Sequence, residues 1–464
     1  MADLMENIED SAVLEVSSEN RTPISLKTES RDSITDVSNL STSVDGSMVQ
    51  SLSLESFSFS NDIDGFDSGL NGKDLQVRVD NPQKHLDTLE TYITFRVTTR
   101  TSREEFSENE YVVRRRYNDF VWIRQKLIDV FPTHVVPPLP AKHSLLGQLD
   151  RYSREFVMCR MAMLHRFLNR IVSHPIFSSH PTVHLFLTAK PAEFLMHRRN
   201  SGSLIGRMTG SLQQIANSYA CQKTEPEFET VKDYVETLSE KLSTLEKIGE
   251  RIHKERRDHV TELNNFYPVL TSWAGIEPVL RPLLLDIGVA EETIASAQQK
   301  HLISSYQIHF SQPLKEYLLY LESINEALER RDAIQIEYEL AVEELNKLKT
   351  EKDQLINSDP ANTTTSFSLW KPASHQDKLE KLSLSIPKLL KTVEANQDKM
   401  EIANENLRAD MERWSVEKKV DLKRILIKMA DQHMQYYQEC LDAWEKVMPT
   451  LKETSNQNNV TTLS

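Results

Sequence analysis

Arg114-Arg115-Arg116-Tyr117-Asn118-Asp119-Phe120 stands where a β-branched run gives way to a helical pattern. Tyr111-Val112-Val113 ahead of it has the composition of a strand, and the apolar spacing from Asp119 to Val130 predicts a helix. Successive strand side chains point to opposite faces, so Arg114 and Arg116 go to one side of the sheet and Arg115 to the other. A guanidinium is thereby free to point into a cleft beside an aromatic ring. Guanidinium groups grip phosphate oxygens bidentately and a tyrosine face stacks on a sugar or inositol ring, so the pattern suggests recognition of a phosphorylated ring. Read alone, three consecutive arginines also describe a solvated basic strand edge.

Upstream, Leu75-Gln76-Val77-Arg78-Val79 and Tyr92-Ile93-Thr94-Phe95-Arg96-Val97-Thr98-Thr99 read as two further strands, which predicts a three-stranded antiparallel sheet. Downstream, Val135-Val136-Pro137-Pro138-Leu139-Pro140 is held extended by its pyrrolidine rings. Helices are expected over Tyr152 to Val172 and Thr182 to Leu187, closing an α+β domain at residues 75–195. This block carries 17 Lys and Arg against 12 Asp and Glu, a local excess of positive charge in a chain of net charge −14.

Residues 1–74 hold 15 acidic and 4 basic residues with 16 serines and no apolar periodicity. Such a segment cannot bury enough surface to offset its ordering entropy and is expected to be a disordered acidic tail, either a phosphorylation target or a solubilising spacer. Residues 196–225 are expected to be a linker carrying an amphipathic helix. There Leu204, Ile205, Met208, Leu212, Ile215, Ala216 and Tyr219 share one face, opposite a Ser, Thr, Gln and Asn face whose one charge is Arg207. That helix either enters lipid-packing defects or packs on the remainder of the protein.

Beyond Pro226 apolar residues recur at alternating spacings of three and four: Phe228, Val231, Val235, Leu238, Leu242, Leu245; Tyr317, Leu321, Ile324, Leu328; and Leu379, Leu382, Ile386, Leu389, Val393. Three long helices are expected, roughly 227–286, 290–356 and 376–448, with breaks near Asp286-Ile287-Gly288-Val289 and across Asn357 to Ser374. Pro268, Pro278, Pro282, Pro313 and Pro387 are expected to kink them, and 449–464 to form a disordered tail. Only 11 glycines in 464 residues argue against turn-rich β and glycine-loop nucleotide folds. No stretch approaches ~18 uninterrupted apolar residues, and Cys159, Cys221 and Cys440 suit neither a disulfide framework nor a CxxC metal site. The expectation is a cytosolic protein that meets membranes peripherally.

The Arg-Arg-Tyr-x-x-Phe element, the Pro-Pro-x-x-x-Lys loop ending at Lys142 and the later Arg160 resemble the phox-homology (PX) domain. With the helices behind it, the span 75–448 resembles the sorting nexins that join PX to an all-α BAR domain, in particular the branch of sorting nexins 7 and 30, whose late Asp410-Met411-Glu412-Arg413-Trp414 and Gln435-Tyr436-Tyr437 it shares. The resemblance implies that Arg116 grips the 3-phosphate of phosphatidylinositol 3-phosphate, Tyr117 stacks on the inositol, Lys142 meets the phosphate nearer the membrane and Arg160 contacts ring hydroxyls, with Arg154 and Arg166 nearby in sequence. Leu139, Leu145 and Leu146 either wedge into the bilayer or pack in the core.

It also implies that two chains pair into a six-helix crescent with a basic concave face. Candidates by sign are Arg251, Lys254, Arg256, Arg257, Arg330, Arg331, Lys418, Lys419, Lys423 and Arg424, with Lys347, Lys349 and Lys352 near a tip. The partners implied are anionic membrane and a second chain, either a copy or a related nexin such as sorting nexin 4. The function implied is curvature-sensitive or tubulating transport at early and recycling endosomes, with a link to autophagy. The other reading is a soluble coiled-coil adaptor whose PX-like module binds protein. His174, His180 and His184 lack a cysteine or carboxylate to complete a ligand set, and GxxxxGK[ST], GxGxxG, HExxH and GxSxG are missing, so no metal, cofactor, nucleic acid or catalytic site is expected.

Overall fold

The computed structural model describes residues 74–86, 91–140, 152–200, 225–357 and 375–461. These fall in one unit of the chain, Gln50–Ser464. The acidic tail ahead of Asp74, Lys142, Leu145, Leu146 and the amphipathic stretch at 203–219 lie outside the described residues.

Strands β1 (Leu75–Leu86), β2 (Thr91–Thr101) and β3 (Glu110–Arg116) form one antiparallel sheet in that order. Leu75 pairs with Thr101, and Thr94 pairs with Arg116. A bulge between Asp80 and Gln83 bends β1, and Asn81, at φ 44°, takes the left-handed conformation that asparagine tolerates better than most residues. Helix α1 (Tyr117–Val130) begins directly at the end of β3, two residues before the expected start. The Asp119 carboxylate accepts from the Arg116 backbone N–H at 2.8 Å, satisfying the first turn.

Helix α2 (Arg154–Ser173) is capped by Ser153, whose hydroxyl accepts from Phe156 N. It lays Leu164, Phe167, Leu168 and Ile171 into the core with Val79, Phe95 and Val97 of the sheet. Helix α3 (Pro181–Thr188) is capped by His180, and α4 (Pro191–Asn200) follows, running past the expected boundary at 195. Phe120 meets Phe186 edge-on at 5.1 Å at the centre of this core, where each buried ring contributes on the order of 1.5–3 kcal/mol.

The helical region comprises α5 (Pro226–Ile276), α6 (Arg281–Gln298), two π-helical turns at Gln299–Ile303 and Gln307–Ser311, α7 (Gln312–Asn357) and α8 (His375–Thr461). Three corrections to the sequence reading follow. The first break falls at Glu277–Leu280, where Pro278 ends α5, and Pro282 occupies the first turn of α6 rather than a helix interior, while Pro268 and Pro387 lie inside their helices and Pro313 follows directly on the second π-helical turn within an unbroken helical run. Gly288 is no breaker: a Cβ there would come within 3.0 Å of the Tyr267 ring, so the glycine lets α5 and α6 approach closely. Helix α8 continues to Thr461, so 449–461 is helical rather than a loose tail.

Much of the expected stripe packs, although Leu245 is exposed and Val393 of α8 packs separately with Ala341 and Leu345 of α7. Phe228, Val235 and Leu242 of α5, Tyr317, Leu321, Ile324 and Leu328 of α7, and Leu407, Met411 and Trp414 of α8 share one cluster. Among the described residues no helix is long and apolar enough to cross a membrane.

Candidate functional site

Alternation along β3 does what the sequence implies. Arg115 is 1% exposed; it donates to the carbonyls of Phe186 at 3.0 Å and Ala189 at 2.6 Å and lies 4.3 Å above the Phe194 ring. It ties the sheet to α3 and α4 and is not available to a ligand. Arg114 donates to the Thr94 hydroxyl and carbonyl.

Arg116 is exposed, and its guanidinium lies over the Tyr92 ring at 3.4 Å. Among the described residues no carboxylate pairs with that guanidinium. Tyr92 in turn stacks on His85 at 5.0 Å, and His85 shares the Thr94 hydroxyl with Arg114. Burial, then the charges of Arg114 and Arg116, push the His85 imidazole below its ordinary pKa. A positive column therefore rises at this corner of the sheet.

Tyr117 opens α1 beside it. Its hydroxyl donates to the Pro140 carbonyl at 2.6 Å, and the Arg160 guanidinium covers its ring at 4.4 Å. Burial raises the Tyr117 pKa. Of the three nearby arginines on α2, Arg160 is the one on this ring, while Arg166 points away to pair with Glu316 on α7. Tyr117 and Arg160 thus stand together, Arg116 directly precedes Tyr117 in the chain with its guanidinium on Tyr92, and Leu139 packs against the core of the sheet domain.

Among the helical cations the picture divides. Arg251, Lys254, Arg257, Lys419 and Lys423 are exposed, and Lys347 pairs with Glu343 along α7. Arg256 reaches His433, Lys418 lies over Tyr234 and Trp414, and Arg424 pairs with Asp421. Arg330 and Arg331, expected on a lipid-facing surface, are buried instead. Arg331 is 0% exposed, donates to Asn404 at 2.7 Å and lies on the Phe228 ring; Arg330 donates to the Pro132 carbonyl. Their positions on the packed stripe of α7, rather than their charge, decide this.

The histidines also regroup. His180 caps α3 and His184 lies against Phe106, while His174 meets His134 and the Asp410 carboxylate, which Arg413 also faces. Sequence reasoning missed this junction between the sheet domain and the helices because its parts are hundreds of residues apart. Beside it, Arg166 and Arg170 both bind Glu316, and Arg170 extends to Glu417 and Asp421. Although burial pushes the Glu316 carboxyl up, Arg170 and Arg166 bring it below the ordinary range. Asp410 is likewise held well below the ordinary carboxylate range, because the His134 and His174 hydrogen bonds outweigh its burial.

Comparison with known proteins agrees with this architecture. The PX domain family matches residues 103–190, and the family described as Vps5 C terminal like matches residues 202–450. Sorting nexin-30 of Xenopus tropicalis is 37% identical over 83% of this chain and 79% of its own, and sorting nexin-7 of Macaca fascicularis is 33% identical over 82% and 92%. The cryo-EM structure of the SNX-BAR Mvp1 tetramer superposes with a TM-score of 0.57 at 18% identity, covering 80% of this chain and 99% of that one.

Proposed function

The chain belongs to the PX-BAR sorting nexins, a family of membrane-associated trafficking proteins, and on that premise we propose that its sheet domain binds phosphatidylinositol 3-phosphate while its helices bind curved membrane. The observation that carries this is the exposed Arg116 guanidinium, set over Tyr92 with no carboxylate partner among the described residues, on the residue directly before the Tyr117 that Arg160 covers. A phosphate monoester supplies the missing countercharge in the bidentate geometry that arginine favours. Arg116 takes the 3-phosphate, Tyr117 and Arg160 border the inositol ring, and Lys142 supplies a further cation.

The helical domain adds area. Exposed apolar side chains on α5 and α8, among them Phe266, Trp273, Met434, Tyr437, Leu441 and Trp444, support burial against a second chain, a copy or a related nexin of the sorting nexin-4 kind. Two chains double the number of exposed cations such as Arg257, Lys419 and Lys423, each contributing only about 1 kcal/mol at an anionic surface. The stretch from Leu204 to Tyr219 adds insertion into packing defects. One modest headgroup site, a weak charged face and an inserting helix act together through effective concentration. On this reading the protein acts on the cytosolic face of early and recycling endosomes, in recycling of cargo and in autophagy, and turns over no substrate.

Flotation of the full chain with liposomes containing or lacking phosphatidylinositol 3-phosphate tests the reading. Binding that requires the lipid and is lost in Arg116→Ala supports it; behaviour indifferent to both points to an adaptor that binds protein through the same module.

A further inference from the structure

The segment from Pro132 to Pro140 belongs to both halves of the molecule. Val135 and Val136 are consecutive residues of an extended chain, so their side chains point opposite ways. Val135, 4% exposed, joins the helical core beside Leu407 and Met411; Val136, 1% exposed, joins the core of the sheet domain. Backbone contacts repeat the division. At its start the helices hold the segment: Arg330 donates to the Pro132 carbonyl at 2.5 Å, Asn406 donates to the Thr133 hydroxyl at 3.2 Å, and Asp410 accepts from Val135 N at 2.7 Å. Midway, Arg124 of α1 donates to the Pro137 carbonyl at 3.0 Å while also reaching Ser323 of α7 at 3.0 Å. At its far end the Tyr117 hydroxyl holds the Pro140 carbonyl at 2.6 Å.

Three prolines in the last four residues restrict φ and keep this stretch extended, so a displacement at one end is passed on rather than absorbed. All but Leu139 of residues 133–140 are buried, which leaves little room to buckle.

We propose that Pro132–Pro140 is a strut through which the helical domain sets the headgroup site, with Arg330 and Asp410 as positioning residues for phosphoinositide binding. This deepens the headgroup reading above and rests on it. Helical side chains that touch no lipid fix where Pro140 lies, Pro140 fixes the Tyr117 hydroxyl, and Tyr117 carries the ring beneath Arg160. By reciprocity, headgroup binding biases the contacts of the helical domain as strongly as they bias it.

The test is calorimetric titration of the full chain with water-soluble dibutanoyl phosphatidylinositol 3-phosphate, which removes bilayer, curvature and avidity from the readout. Arg330→Met and Asp410→Asn are each expected to weaken binding roughly fivefold to tenfold, at the lower end of usual site-to-site couplings. Tyr117→Phe, which keeps the ring and cuts the strut at its headgroup end, should abolish that sensitivity, so that Arg330→Met adds nothing in its background. A merely structural role for Arg330 would instead give losses that add. Unchanged affinity in both helical variants, or additive losses in the double variant, overturns the strut; if Asp410→Asn fails to fold, Arg330→Met alone decides. Wild-type protein that ignores the probe, or binds it equally as Arg116→Ala, overturns the headgroup reading and the strut with it. Binding lost in Arg116→Ala but intact in the helical variants overturns the strut alone.

Discussion

Arg166 of the sheet domain donates to Glu316 of the helical domain at 2.7 Å, and Arg170 reaches the same carboxylate at 3.1 Å from its other side. Glu316 is 4% exposed, so two guanidinium groups and one carboxylate leave water together. Such a cluster holds only while every member is present. It ties α2 of the sheet domain to α7 and α8.

Removing the carboxylate exposes that dependence. Glu316→Ala should remove the carboxylate that Arg166 and Arg170 share, leaving Arg170 with Glu417 and Asp421, and cost about 3–5 kcal/mol. Urea unfolding of the full chain checks this, and amide exchange should rise in both α2 and α7. A change below 1 kcal/mol would show that the cluster relaxes at little cost.

Acid should weaken the protein through its buried histidines before its carboxylates. Burial first, with the charges of Arg166 and Arg78, lowers His165 from 6.5 to about 4, and its Nδ1 accepts from Val79 N. His174 is lowered in the same direction. Above pH 6.5 both folded and unfolded imidazoles are neutral and nothing is lost. As pH falls from 6.5 toward 4, the unfolded chain takes up a proton that the native His165 refuses, and stability drops by roughly 3 kcal/mol in total. Glu316 and Asp410, whose pKa values are depressed on folding, contribute stability that is lost only below about pH 4.5 and 3.8, the ordinary values from which they fall. Urea midpoints between pH 7 and 5 therefore report the imidazoles; a flat profile there contradicts this, and His165→Gln should flatten it in part.

Arg115 and Arg116 should separate stability from binding. Arg115→Lys loses the fork that reaches two carbonyls and the stacking on Phe194, a cost of about 2 kcal/mol in unfolding free energy. Arg116→Ala should leave the thermal midpoint within 2 °C or so and remove headgroup binding. Comparing denaturation and liposome flotation for both variants checks the split, and a reversed pattern would assign the ligand to the wrong face of β3.

Three glycines within helices give opposite signs. A Cβ at Gly249 would meet the Tyr306 hydroxyl at 2.6 Å and one at Gly288 the Tyr267 ring at 3.0 Å, whereas nothing lies within 4 Å of one at Gly275. Gly249→Ala and Gly288→Ala should each destabilise by about 1–3 kcal/mol, and Gly275→Ala should stabilise by about 0.5–1 kcal/mol. Thermal midpoints read all three.

Leu212→Glu should weaken binding to small liposomes severalfold more than to large ones while leaving the sedimenting mass unchanged. Equal binding to small liposomes would remove the inserting role of the 203–219 stretch.

Local pattern alone determined a great deal. Strand alternation set Arg115 on the opposite face from Arg114 and Arg116, the spacing of Phe228, Val235 and Leu242 marked the packed stripe, and the proline run marked an extended segment, because each depends on periodicity within a few residues, while the packing of the sheet decided that the Arg115 face is the buried one. Tertiary structure alone decided that Gly288 joins two helices rather than ending one, that Arg330 and Arg331 serve the interior, and that His134, His174 and Asp410 meet. Whether a cation faces water or a buried carbonyl, and whether a glycine marks a break or a close approach, depends on what another part of the chain places against it, and no spacing along one helix records that.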